Sequence, residues 1–110
     1  MVIRTVRASP GDYLRYLVGG NPRDEWEFQV GDVHCKLLNE WRGGAKLFVN
    51  GVIVANDKRL FEVSGRKPML SAGVADEIDV VRTVEVYIRA ILSVKARIDI
   101  DGVPISNGFV

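Results

Sequence analysis

The amino-acid sequence predicts an all-β protein, a mainly antiparallel β-sandwich of about nine strands with one short N-terminal helix. Three observations predict it. Val and Ile together number 25 against 8 Leu, and β-branched side chains suit a pleated, half-buried surface. Dipeptides that close two-residue hairpins stand at Gly31-Asp32, Asn50-Gly51 and Asp101-Gly102, and around each the facing residues sort by parity into coherent sets. From Val84 to Ile100 every even position is apolar, whereas of the odd positions from Glu85 to Asp101 only Tyr87 and Ile91 are not polar. A closed β-barrel is the alternative architecture.

Taken in order, residues 2–7 read as a first strand. A helix is predicted over 10–18: Ser9 caps it, Pro10 suits its first position, Asp12 has capping-box spacing, and Gly19-Gly20 ends it. Tyr13, Leu14 and Leu17 would face the sheet. Around Gly31-Asp32 the pairs Val30/Val33, Phe28/Cys35 and Trp26/Leu37 share an apolar side, with Gln29/His34 and Glu27/Lys36 on the other. Around Asn50-Gly51 the pairs Val49/Val52 and Leu47/Val54 lie on one side and Phe48/Ile53 on the other. Apolar on both faces, this hairpin is expected to lie centrally.

Residues 59–64 read as a further strand, and 65–79 as a long connection containing a second turn or short helix. The alternating run from Val84 would span about 56 Å as one strand at ~3.3 Å per residue, too long for a small domain. It must bend or reverse near 90–94, and an unflipped parity requires a bend, a bulge or an odd-length loop. Around Asp101-Gly102, Ile100/Val103 and Ile98/Ile105 face inward, and Asp99/Pro104 and Arg97/Ser106 face away.

The chain has 110 residues, with 15 Lys plus Arg against 14 Asp plus Glu and a formal charge of +1. No net field steers it toward a polyanion, which argues against nucleic acid and membrane surfaces as partners. A single domain, residues 1–110, is expected. The first twenty residues lack the apolar stretch of a secretory signal, and no apolar window reaches the length of about 18 residues that a membrane helix needs. The single cysteine, Cys35, cannot form an internal disulfide, so the expected location is the cytoplasm.

Candidate chemistry is sparse. His34 and Cys35 are adjacent in a strand and point to opposite sides, which breaks a Cys–His pair. His34 is expected to be solvated and Cys35 buried. Carboxylates cluster at Asp76, Glu77 and Asp79, and again at Asp99 and Asp101; a carboxylate-dependent hydrolase would need members of the two groups to meet in a cleft. Ser64-Gly65-Arg66-Lys67 and Gly43-Gly44-Ala45-Lys46 lack phosphate-loop spacing and read as hairpin punctuation. No metal site or cofactor is implied.

Across residues 34–105, a strand bearing His34 precedes a strand ending in Val49-Asn50-Gly51. A strand with a core Phe61, a short turn at Gly65 and a strand running into Ile100-Asp101-Gly102 follow. This order resembles the Fas apoptotic inhibitory molecule family, in which the Asn50 position is aspartate. The resemblance implies a β-sandwich without known catalysis that acts through protein contacts; no functional residue carries over from it.

The reading favoured is a non-catalytic module that binds a protein partner or self-associates. Its interface candidates are Tyr87, Arg89 and Ile91, large side chains on one otherwise polar strand face and of types common in interfaces. The helix at 10–18 is the competing cover for the same patch. A barrel taking a small apolar ligand and a carboxylate-dependent hydrolase are the alternative functions.

Overall fold

A computed structural model describes residues 4–6, 15–57, 66–90, 94–106 and 108–110, with the backbone alone at 4–6 and 90. Five strands form a first sheet: β1 (Arg4–Val6), β2 (Arg23–Val30), β3 (Val33–Glu40), β4 (Gly44–Val49) and β5 (Val52–Asp57). Four more form a second: β6 (Leu70–Ala75), β7 (Val81–Ala90), β8 (Val94–Ile100) and β9 (Val103–Pro104). In each sheet the spatial order is the chain order, and every pairing is antiparallel.

One apolar core joins the sheets. Trp26, Phe28, Leu37 and Leu47 of the first meet Val84, Val86 and Ile98 of the second in a single buried cluster. Their alternation with polar neighbours makes this packing possible, because side chains of period two place one complete set between the layers. The fold is therefore all-β and sandwich-like. The two sheets remain separate, so the barrel alternative does not hold.

The hairpin between β2 and β3 has the expected register, from Val30 opposite Val33 to Trp26 opposite Leu37. Its turn packs against the turn between β6 and β7, where the Glu77 carboxylate accepts the Asp32 N–H at 2.9 Å. A Cβ at position 31 would lie 1.9 Å from the same carboxylate oxygen, and φ there is +60°. Gly31 thus serves both the turn and the close approach of the second sheet.

The hairpin between β4 and β5 departs from expectation. Val49/Val52 and Phe48/Ile53 pair as read, but a register shift then sets Leu47 opposite Ala55 rather than Val54. Val54 is the additional residue of a bulge. Nor is the hairpin central: β5 ends the sheet order, and Val52, Ile53 and Val54 are 64%, 49% and 44% exposed. Apolar residues on both faces do not require burial on both, and a bulge on an outer strand bends it away from further pairing.

Of the predicted helix, the described part is a single turn at 15–17, closed by Gly19 at φ +97°; Tyr13 and Leu14 lie outside the described residues. Leu17 does not face the sheet and is 59% exposed. Tyr16 supplies the anchor instead, with its ring 5.4 Å from Trp41 and the Arg42 guanidinium 4.4 Å from its centre. Arg42 also donates to the carbonyls of Gly20 and Tyr16. Successive helical residues are about 100° apart, so seating Tyr16 turns Leu17 away.

The strand expected at 59–64, with Phe61, and the turn at Gly65 lie outside the described residues. The connection expected over 65–79 contains strand β6, with Leu70 and Val74 in the core. Weak strand formers hide it: Ser71, Ala72, Gly73 and Ala75 mask the Leu70/Ala72/Val74 alternation. The run from Val84 reverses as required, with β7 and β8 paired down to Ala90 opposite Val94 across three residues.

Positive φ values at Asn50 (49°), Gly51 (80°), Asp101 (52°) and Gly102 (79°) identify two type I′ turns. No atom lies within 4 Å of a Cβ built at either glycine, so a substitution there acts through the backbone alone. Gly102→Val is expected to cost about 1–3 kcal/mol. The measurement is calorimetric melting, in which an unchanged Tm would contradict the turn type.

Candidate functional site

Strands β7 and β8 direct their even positions into the core and their odd positions to the other side, which builds the outer face of the second sheet in rungs; Asp99, read as facing away, is only 6% exposed, because Arg97 pairs with it. Glu85 lies opposite Asp99, Tyr87 opposite Arg97, and Arg89 opposite Lys95. The middle rung is stacked: the Arg97 guanidinium sits 4.1 Å from the Tyr87 ring centre and 5.7 Å from that of Phe109. Arg89 lies 4.6 Å from the same Phe109 ring. Such stacking holds flat cationic groups over aromatic faces while leaving their edges to solvent.

Phe109 reaches this face because the segment after β9 turns back along β8. Val110 exchanges both backbone hydrogen bonds with Ala96, at 2.8 and 2.9 Å, and the indole Nε1 of Trp26 donates to the Val110 carbonyl at 3.0 Å. The sequence reading ended at Ser106 and missed Phe109. Gly108, at φ +83°, is the local signal that a turn precedes the aromatic residue.

Tyr87 and Arg89 are thus on one half-buried face as expected. Ile91 lies outside the described residues. Leu17, the described member of the expected helical cover, is exposed, whereas Arg97 and Phe109 lie against Tyr87 and Arg89.

His34 is exposed and Cys35 is fully buried, on opposite sides of β3. The carboxylate groups do meet, but through an arginine. Arg82 donates Nε to Asp76 at 3.2 Å and Nη1 to Asp101 at 3.1 Å. Asp76 also accepts the N–H groups of Val80 and Ile78, and Asp101 accepts that of Thr83. Each carboxylate therefore organises a turn. Among the described residues, no three His, Cys, Asp or Glu side chains are grouped to hold a metal ion.

The Val80 N–H, followed by Arg82 and the Ile78 N–H, holds the Asp76 carboxyl below its ordinary value of 3.8. The Thr83 N–H, followed by Arg82, does the same for Asp101. Folded values below unfolded ones mean that both groups stabilise the fold fully above the ordinary Asp value, and that this is lost as pH falls through the depressed values. Chemical denaturation from neutral to strongly acidic pH should show that decline. Asp76→Asn is expected to lower the midpoint at neutral pH and flatten the acid limb.

No protein-family profile, curated protein or solved structure matches the chain. Among the described residues, no helix is long and apolar enough to cross a membrane.

Proposed function

We propose that the protein is a non-catalytic interaction module that binds protein through the outer face of its second sheet. The observation that carries this reading is the Tyr87–Arg97–Phe109–Arg89 stack. Tyr and Arg dominate the energetics of protein interfaces, and here strand register and mutual stacking hold them before any partner arrives. Less side-chain freedom then remains to be lost on binding. The resemblance to the Fas apoptotic inhibitory molecule family, whose members act through protein contacts, points the same way. A single buried cysteine suits a reducing compartment such as the cytoplasm.

The test compares the wild-type chain with the doubly substituted Tyr87→Ser/Phe109→Ser chain by chemical cross-linking in cell extract and in purified solution. Both positions lie outside the buried core cluster, so the variant should retain its circular dichroism spectrum. Loss of the wild-type cross-links in a folded variant supports the reading, and a folded variant with every cross-link intact overturns it.

A further inference from the structure

We infer that a second copy of this chain docks on this face, about a two-fold axis running across the strands at the level of Tyr87. The inference rests on the interaction reading above and names its partner. It begins from an arrangement that is unfavourable within one chain. Glu85 lies directly opposite Asp99, and Arg89 directly opposite Lys95, although like charges facing across strands are destabilising. Arg97 relieves the acidic rung through its ion pair with Asp99 at 3.1 Å. The basic rung has no such relief: among the described residues no carboxylate pairs with Arg89 or Lys95.

The face is therefore polarised along the strands, acidic at one end and basic at the other, with rungs about 14 Å apart at ~3.4 Å per residue. That pattern is self-complementary in one orientation. Tyr87 is the midpoint of Glu85 and Arg89 on β7, and Arg97 is the midpoint of Lys95 and Asp99 on β8. Rotation by a half-turn about an axis across the strands keeps β7 over β7 and reverses its direction. Glu85 then meets Arg89 of the partner subunit, Arg89 meets Glu85 of the partner subunit, and the Tyr87 rings meet at the axis. On β8 the same operation sets Lys95 at the level of Asp99 of the partner subunit, but Asp99 is buried and held by Arg97, so the two contacts between Glu85 and Arg89 carry the dimer. An axis along the strands would instead set Glu85 against Glu85. Isologous contacts of this kind need a patch that complements itself, and the acidic rung disfavours polyanions as occupants.

The experiment is sedimentation equilibrium of the full chain, with circular dichroism to establish folding. Wild type is expected to show a monomer–dimer equilibrium that weakens with added salt. Glu85→Arg alone and Arg89→Glu alone should each weaken the dimer about tenfold or more, because each sets two like charges in contact. Mixing the two single variants should restore association, since both contacts in the mixed pair are then between opposite charges. Wild type that stays monomeric at millimolar concentration overturns self-docking and leaves the interaction reading to its own cross-linking test. A dimer that persists undiminished in both folded variants overturns the assignment of self-docking to this face and leaves the interaction reading to its own cross-linking test.

Discussion

Trp26→Ala is expected to destabilise the protein by about 3–5 kcal/mol, the range for removing a large aromatic side chain from a packed core. Small domains hold about 5–15 kcal/mol in total, so this variant should be largely unfolded in modest denaturant. Trp26 is fully buried on β2, faces the second sheet and binds the Val110 carbonyl through its indole N–H. Its loss opens a void between the layers and frees the segment that carries Phe109. Trp26→Phe separates the two effects. It keeps most of the apolar bulk and removes the donor, and because the Val110 carbonyl still accepts the Ala96 N–H, a cost of only about 1 kcal/mol is expected. Urea denaturation of the three proteins is the measurement; equal midpoints would contradict the packing described.

Cys35 is expected to react with a thiol reagent far more slowly in the native protein than in denaturant. Burial pushes its thiol up from the ordinary 9.0 to about 11, which by itself lowers the thiolate fraction near neutral pH roughly 100-fold. Steric exclusion adds to this, because the residue is fully buried between the sheets. Labelling should then follow global unfolding and accelerate with destabilising substitutions such as Trp26→Ala. Equal native and denatured rates would mean that the register of β2 and β3 is wrong.

That register was legible because it rests on short-range rules. A two-residue turn fixes which residues face each other, and a slip by one would have exposed Trp26, Phe28 and Leu37 together. The turns at Asn50-Gly51 and Asp101-Gly102 were legible for the same reason, but the facing around the second was not: Val103, read as inward, is 64% exposed, and Asp99, read as outward, is buried. What failed depends on information outside the local pattern. Val52, Ile53 and Val54 read as central because apolarity reports compatibility with a sheet, not the number of neighbouring strands. β6 was hidden because Leu70 and Val74 carry its burial while the intervening residues are weak strand formers.

The candidate face divides along the same line. Tyr87 was visible, with Ile91, as an exception to the polar side of an alternating strand, and Arg89 as the charged residue between them. The pairing of Tyr87 and Arg89 with Arg97 and Lys95 needed only the reversal between β7 and β8. Phe109 was not visible, since its position depends on Val110 pairing back to Ala96, and no periodic pattern encodes that return. The joining of Asp76 and Asp101 through Arg82 likewise required the third dimension, because Arg82 occupies a core-facing parity yet serves two turns.

The chain order of strands within both sheets bears on how the protein folds. Neighbouring strands within each sheet are neighbours in the chain, so the contacts within a sheet close short loops at small entropic cost. Among the described strands, a single passage, between β5 and β6, links the two sheets. The contacts between the layers, such as Trp26 with Val110 at a separation of 84 residues, close the longest loops and cost the most entropy to form. Each sheet alone would present its apolar face to water, so the interval before docking is when the chain is most exposed to aggregation. Because the Trp26 indole donates to Val110 across the layers, its fluorescence, read in a Trp41→Phe background, is expected to report layer closure rather than hairpin formation.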